Sequence, residues 1–173
     1  TKRFSKSEES FKNALNVSPD YTEVLNNLGV LMTRQERFAE AVTYLEKALK
    51  DDRYSTPENA YTNLGQAYFR LGQVAKAKSL HQKALDITPD FCLANKNLGD
   101  VYVKEKNYQK ASELFEKATT TCPLYEESQY KLGLAMMKLG QRRTARAQFE
   151  RLVERHKSGP YVERSQEVLK YLQ

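Results

Sequence analysis

The sequence repeats one short pattern four times at nearly constant intervals. A Leu-Gly pair recurs, with successive glycines 36, 34 and 34 residues apart: Leu28-Gly29, Leu64-Gly65, Leu98-Gly99 and Leu132-Gly133. An alanine stands twelve residues after each glycine: Ala41, Ala77, Ala111 and Ala145. Four residues further on stands a larger side chain: Leu45, His81, Phe115 and Phe149. A unit of this length cannot bury its apolar face alone, so four copies in register predict a stack of similar units.

This spacing resembles the tetratricopeptide repeat, a helix–turn–helix unit of about 34 residues. Apolar residues at three- and four-residue spacing predict amphipathic helices. The recurring glycines and alanines allow the two helices of a unit to approach closely, since larger side chains would hold the backbones apart. We therefore predict an all-α fold. The resemblance implies a right-handed superhelix of antiparallel helix pairs, closed by a C-terminal capping helix.

The predicted organisation is a single domain over residues 1–173. Its predicted parts are a partial repeat with a second helix only, four repeats and a capping helix, over residues 1–20, 21–54, 55–89, 90–123, 124–157 and 160–172. Helices are predicted near residues 6–17, 21–34, 37–50, 58–70, 73–86, 91–104, 107–120, 124–138, 141–156 and 160–172. Phe11 and Ala14 have the spacing of a second helix, which is why the first part is predicted as half a repeat. Pro57 and Pro123 are predicted in the first turn of a following helix.

The net charge of +6 is unevenly distributed. Residues 1–130 hold 18 basic and 18 acidic side chains, whereas residues 131–173 hold 10 basic and 4 acidic ones. The excess has two interpretations, a solvated helix surface or a basic patch for an acidic partner or an anionic lipid surface. The candidate patch is Arg142, Arg143 and Arg146. No aromatic–basic motif for nucleic acid is present, and no apolar run approaches the roughly 20 residues of a membrane span.

The sequence offers no arrangement typical of catalysis. His81 and His156 lie on different repeats without a partnered nucleophile, and His81 occupies a position that usually holds a packing aromatic residue. The two cysteines and these histidines lack a recognised zinc-ligand spacing. We predict a non-enzyme without metal or cofactor, and a core position for His81.

Cys92 and Cys122 are predicted to lie at the same end of one helix pair. Cys92 begins the first helix of its repeat and Cys122 follows the second. A disulfide is therefore feasible, and it would indicate an oxidising compartment. The alternative is a pair of buried thiols that fill small gaps.

The repeat resemblance also predicts where a partner binds, because the first helix of each unit lines the groove in this fold. One row of these positions is basic in all four repeats: Arg34, Arg70, Lys104 and Lys138. The other predicted groove residues are Asn26, Val30, Thr62, Gln66, Phe69, Lys96, Val103, Tyr130, Leu134 and Met137. An apolar strip beside a basic row favours a protein segment with apolar anchors and acidic flanks.

One known use of this fold is not matched. Repeat proteins that act as co-chaperones hold a C-terminal carboxylate with lysine and asparagine side chains at fixed positions. The corresponding positions here include Val30, Thr62 and Asp100, and a carboxylate at Asp100 would repel such a ligand.

The junction before the second full repeat resembles a particular family. It contains a two-residue insertion, and its Tyr54-x-x-Pro57-Glu58 lead is followed by Asn63-Leu64-Gly65. This resembles the type IV pilus-assembly lipoproteins, the pilotins that help an outer-membrane secretin to assemble. The resemblance implies a periplasm-facing protein that binds secretin subunits and is attached by a lipid anchor outside the given residues. The alternative is a generic or cytoplasmic scaffold, including the repeat part of a larger protein.

Overall fold

The computed structural model describes the backbone of residues 2–172 and the side chains of residues 6–172. Within that range the chain forms ten α-helices and no strand. It divides into two compact units, one ending at Pro89 and one beginning at Asp90. Each unit is described by itself.

Unit 1 contains a single helix followed by two helix pairs. Its helices are α1 (Lys2–Val17), α2 (Thr22–Arg34), α3 (Phe38–Ala48), α4 (Pro57–Arg70) and α5 (Val74–Ile87). Helix α2 packs against α3, α4 packs against α5, and α4 also packs against both helices of the preceding pair. The core between them includes Leu28, Met32, Leu45 and Leu64, all of them buried.

Unit 2 contains two helix pairs and a final helix. These are α6 (Cys92–Lys104), α7 (Tyr108–Thr121), α8 (Glu126–Lys138), α9 (Arg142–His156) and α10 (Pro160–Tyr171). Helix α8 packs against α7 and α9, and α10 covers α8 and α9. The all-α fold class, with helix pairs and a C-terminal helix on the last pair, is confirmed. The predicted helix ends agree within about two residues, except that α1 begins at Lys2 and not near residue 6.

The four repeated glycines are contact points between the two helices of each pair. A Cβ atom placed on Gly65 would lie 2.6 Å from the ring of His81, and one on Gly99 would lie 2.6 Å from the ring of Phe115. Gly133 meets Phe149 and Gly29 meets Leu45 in the same way. The alanines of the pattern are fully buried beside these contacts. The predicted close approach of the helices, and the core position of His81, are therefore confirmed.

The turn inside each helix pair contains one residue with a left-handed backbone. In two turns this residue is a glycine, Gly72 with φ of 77° and Gly140 with φ of 75°, as the sequence suggests. In the other two it is Glu36 with φ of 61° and Lys106 with φ of 59°. These two positions carry no glycine, so their conformation was not evident from the sequence.

Of the two prolines predicted in the first turn of a helix, one lies there. Pro57 is the first residue of α4, where its missing N–H leaves no partner unsatisfied. Pro123 lies three residues before α8, which begins at Glu126, so its predicted place in the first turn is wrong. Tyr54, at the irregular junction before Pro57, is buried.

Helix α1 is less covered than the second helices of the full pairs. Phe11 and Ala14 pack against the core of unit 1 but remain partly exposed, whereas Leu45 and Ala48 are fully buried. Helix α1 therefore has a partly exposed face in unit 1. The predicted domain also includes residues 1 and 173, which lie outside the described residues.

We expect Gly99→Ala to destabilise the protein, because the new methyl group would overlap the ring of Phe115, which is fully buried. The expected loss is about 1–3 kcal/mol in the free energy of unfolding, measured by urea titration. In a Phe115→Ala background the ring is absent, and the same change should be neutral or favourable, since alanine is the better helix former. An equal loss in both backgrounds would show that the ring contact is not the cause.

Candidate functional site

The four basic residues of the predicted row are all exposed. In unit 1, Arg34 lies at the end of α2 and Arg70 at the end of α4. The guanidinium of Arg70 lies 4.8 Å from the ring centre of Phe38 and 3.3 Å from Glu36 Oε1. Arg70 is thus held in place by its neighbours, and its charge remains at the surface.

The other predicted groove residues of unit 1 differ in accessibility. Val30, Gln66 and Phe69 are partly exposed and remain available to a partner. Asn26 accepts a hydrogen bond of 3.0 Å from the side-chain amide of Asn63. Thr62 is 0% exposed, so it cannot contact a partner, and its prediction as a groove residue is wrong. It is one of the buried residues of α4.

Unit 2 contains an apolar cleft between α6 and α8. The cleft has a volume of about 260 Å³, and its lining residues are Asp100, Val103, Tyr108, Phe115, Lys131, Leu134, Ala135 and Lys138. Val103 is 39% exposed, so a large part of its apolar side chain remains accessible. The structure therefore brings together three predicted groove residues: Val103, Leu134 and Lys138. Lys104, next to Val103 in the chain, is exposed.

Four charged residues form a network beside this cleft. Lys131 Nζ lies 2.7 Å from Asp100 Oδ2 and 2.7 Å from Glu127 Oε1. Lys96 Nζ lies 3.5 Å and 3.4 Å from the same two oxygens. The hydroxyl of Tyr125 donates to the other oxygen of Glu127 at 3.0 Å. Two ammonium groups and two carboxylates thus balance each other.

The network removes Lys96 from the predicted groove surface. Its side chain is only 8% exposed, and both nearby carboxylates face its ammonium group. The prediction that Lys96 meets a partner is therefore not supported. Asp100, Glu127 and Lys131 were not among the predicted site residues. The signal for them was an i,i+4 pair of opposite charge, Glu127 and Lys131, facing a second such pair, Lys96 and Asp100.

Electrostatic coupling within the network changes the pKa values of Glu127 and Lys131. Burial by itself would raise the pKa of Glu127, but the hydrogen bond from Lys131 and the charges of Lys96 and Lys131 lower it from 4.5 to about 2. Burial would lower the pKa of Lys131, whereas Asp100 and Glu127 raise it. Glu127 and Lys131 therefore remain ionised at neutral pH and form a charged edge of the cleft.

The final helix covers part of the predicted groove on α8. Tyr130 lies between two rings, with centroid distances of 5.7 Å to Phe149 and 5.6 Å to Tyr161 of α10. Met137 packs in the same cluster as Leu172. These two residues stabilise the packing of α10, so they offer less surface to a partner than their sequence positions suggested.

The two cysteines lie together in the first pair of unit 2. The structure joins Cys92 and Cys122 by a disulfide, with their Cα atoms 6.1 Å apart. The bond connects the start of α6 to the residue after α7 and closes a segment with a sequence separation of 30. The disulfide thus connects the two ends of the α6–α7 pair, whose first helix supplies Asp100 and Val103 to the cleft.

The predicted basic patch lies at the start of α9. Arg142, Arg143 and Arg146 are all exposed. Arg142 donates a hydrogen bond of 3.1 Å to the backbone carbonyl of Tyr171, and Arg146 pairs with Glu150 at 2.9 Å.

The arrangement is suited to binding a partner. Within residues 6–172, His, Cys, Asp and Glu side chains form no group of three or more that could hold a metal ion. None of the helices described above has the length and apolar content that a bilayer-spanning helix needs. His156 Nδ1 faces Glu126 at 3.4 Å, with no cysteine or serine nucleophile among its described partners. The site consists of exposed apolar side chains with basic residues around them.

Sequence comparison identifies the repeat in three segments of the chain. Profiles of the tetratricopeptide repeat match residues 22–51, 56–123 and 127–158. These segments include all four helix pairs. The assignment therefore agrees with the helix packing described above.

Individual relatives and solved structures share this repeat. The crystal structure of PilW, a widely conserved type IV pilus biogenesis factor, matches with a TM-score of 0.81 and 28% identity, covering 92% of this chain and 73% of that chain. The chain is 31% identical over 78 residues to the type IV pilus assembly protein PilF of Pseudomonas aeruginosa, covering 45% of this chain and 31% of PilF. It is also 31% identical over 84 residues to the protein O-mannosyl-transferase tmtc2 of Xenopus laevis, covering 48% of this chain.

The chain thus spans less than a third of the length of PilF and 10% of the length of tmtc2. The activities of those whole proteins therefore do not transfer directly. The shared part is the repeat array.

We expect the stability given by Glu127 to depend on pH. A carboxylate with a lowered pKa stabilises the fold fully above its unfolded pKa, near 4.5, and loses that effect as the pH falls to about 2. Glu127→Gln should therefore be less stable than the unmodified chain at pH 7, by an amount on the order of 3 kcal/mol. The difference should shrink between pH 4.5 and 2 in urea unfolding. A difference that stays constant over this range would contradict the assignment.

We expect the Cys92→Ser/Cys122→Ser variant to lose about 3–4 kcal/mol of unfolding free energy, because an open segment gives the unfolded chain more conformations. Urea unfolding measures the loss. Reduction of the unmodified chain is the matched control and should give the same stability as the double variant. Thiol titration of the denatured, unreduced protein should find no free thiol, and two titratable thiols would exclude the bond.

Proposed function

The chain belongs to the tetratricopeptide repeat family, a family of protein-binding scaffolds, and we propose that it acts as a pilotin in type IV pilus assembly. In this role it binds subunits of an outer-membrane secretin and promotes their assembly. The proposed place of action is the periplasmic face of the outer membrane.

The likeness to PilW is the observation that carries this proposal. It extends over 92% of the chain at 28% identity, and PilW is a type IV pilus biogenesis factor. The relative PilF is a type IV pilus assembly protein. The junction from Tyr54 to Gly65, which resembles the pilotin family, supports the same role. The cysteine pair of unit 2 suits an oxidising compartment such as the periplasm.

The chemistry of the cleft defines the partner segment that it would bind. Val103 and Leu134 offer apolar contact inside the cleft, and Lys138 adds positive charge to its lining. Lys104, next to Val103 in the chain, is a second exposed cation. An apolar side chain of the partner would fill the cleft and supply most of the affinity, since few central contacts dominate such interfaces. Acidic residues on either side would face the lysines and speed association. The network around Lys131 forms the charged edge of the cleft.

Unit 1 offers a second surface of the same kind. Val30 and Phe69 are its partly exposed apolar residues, and Arg34 and Arg70 are its cations. A secretin presents repeated copies of one chain, so two similar surfaces on one scaffold would increase its avidity.

The alternative function is that of a general or cytoplasmic scaffold. The partial match to tmtc2, which covers only 10% of that protein, favours it, because there the repeats are one part of a much longer chain. Both functions use the same kind of surface. They differ in partner and compartment.

We expect Val103→Asp to weaken binding of a secretin segment at least tenfold, because it places a carboxylate in the apolar cleft. In cells that lack the unmodified chain, this variant should give secretin monomers with few multimers. The matched control is Leu124→Asp, which makes a similar change at an apolar residue that is 77% exposed and outside the cleft. The control should support normal multimers, and both variants should keep the thermal stability of the unmodified chain.

Deletion of the whole chain gives the decisive result. Loss of multimers upon deletion supports the pilotin role. Normal amounts of detergent-resistant multimers would contradict it and leave the general scaffold. If deletion abolishes multimers but Val103→Asp does not, the pilotin role stands and the cleft is not the binding site.

A further inference from the structure

We propose that one end of unit 2 docks onto the anionic headgroups of a lipid bilayer. This surface, here called the basic end, consists of Arg142, Arg143 and Arg146 at the start of α9 with Lys170 and Tyr171 at the end of α10. The inference does not depend on the proposed pilotin function, and its residues lie outside the lining of the cleft.

Contacts of the described residues bring the two helix ends together. Arg142 donates a hydrogen bond of 3.1 Å to the carbonyl of Tyr171. Leu172, the next residue, packs with Ala145 and Phe149 of α9. The end of α10 is therefore held against the first turns of α9, and the cations of both helices share one surface.

The positive charge of the basic end is largely uncompensated. Arg143 and Lys170 are exposed, and neither has an ion pair among residues 6–172. Arg142 contacts only a neutral carbonyl there. Two carboxylates are near in sequence: Glu150, which pairs with Arg146, and Glu167, which is exposed on α10. With four cations and these two carboxylates, the net charge of this part of the surface is positive.

The position of these arginines opposes local stability. Arg142 and Arg143 are the first two residues of α9, and the first turn of that helix contains no acidic residue. The positive end of the helix dipole disfavours cations there by about 0.3–1 kcal/mol each. A charge pattern that works against the helix is better explained by an external anionic partner than by folding.

The exposed tyrosine favours a membrane over an acidic peptide. Tyr171 is 81% exposed and lies beside the arginines. A tyrosine ring with a polar tip is the type of side chain that resides at the level of lipid headgroups. The apolar cleft of unit 2 is lined by none of the residues of the basic end, so the pocket for an apolar side chain lies apart from this surface. Cations near an anionic bilayer each add to its attraction.

Vesicle sedimentation tests the proposal. The chain should bind vesicles of phosphatidylcholine mixed with phosphatidylglycerol and should not bind vesicles of phosphatidylcholine alone. The Arg143→Gln/Lys170→Gln variant should bind the mixed vesicles roughly 25-fold more weakly, since each cation near such a surface contributes about fivefold. Tyr171→Ser should also weaken binding, and raised salt should weaken binding of the unmodified chain.

The matched control changes the same amount of charge at the opposite end of α9. Arg151→Gln/Lys157→Gln removes two exposed cations that lie outside the basic end. This control should bind the mixed vesicles nearly as well as the unmodified chain. An equal loss in both double variants would show attraction by net charge and would overturn the assignment of the surface.

Two further outcomes would also overturn the proposal. One is absence of binding to the mixed vesicles at low salt. The other is binding of a glutamate-rich peptide to the basic end that exceeds vesicle binding, which would assign the surface to an acidic protein. Secretin multimers are measured in the same variants. Because these variants keep the residues of the cleft, the multimers report on the pilotin proposal and the vesicles report on the basic end.

Discussion

The contact between a glycine of the first helix and a large side chain of the second sets the geometry of each helix pair. Gly99 lies so close to the ring of Phe115 that a methyl group on the glycine would overlap it, and Gly65 and Gly133 have the same relation to His81 and Phe149. The contact fixes the separation of the two helices and buries the alanines beside them. It also fixes the orientation of the first helix, so its opposite face carries the residues available to a partner.

The charge network of unit 2 depends on that same orientation. With α6 and α8 held in place, Asp100 and Glu127 both lie 2.7 Å from the ammonium group of Lys131. Largely buried ion pairs stabilise a fold only when every charge has a partner. In this network two ammonium groups meet two carboxylates. The carboxylates of Asp100 and Glu127 would repel an acidic partner. The network pairs both of them with lysines at the edge of the apolar cleft. The same contacts take Lys96 away from the surface, whereas Lys104 and Lys138, the two members of the basic row in this unit, remain exposed.

The two proposed surfaces of unit 2 have different physical characters. The cleft combines apolar area with a basic edge, and it suits one segment of a protein partner. The basic end combines a net positive charge with one exposed ring, and it suits an extended anionic surface. A scaffold that carries both could hold a protein partner while resting on a membrane. Such an arrangement is compatible with the proposed role at the outer membrane, although each surface stands on its own contacts.

The sequence alone determined the helices, their pairing and the residues of the core, because the repeat imposes the same steric demand at each glycine and alanine. It also placed Val103, Leu134 and Lys138 on one surface. Leu134 and Lys138 are one turn apart on α8, and the repeat resemblance assigned Val103 of α6 to the same groove. Only the tertiary structure decided which of those residues remain accessible. Thr62 is buried by helix packing, Lys96 is paired with carboxylates, and Tyr130 is covered by α10. These outcomes depend on side chains distant in sequence, and a periodic pattern reports the direction of a residue but not the neighbours that it meets.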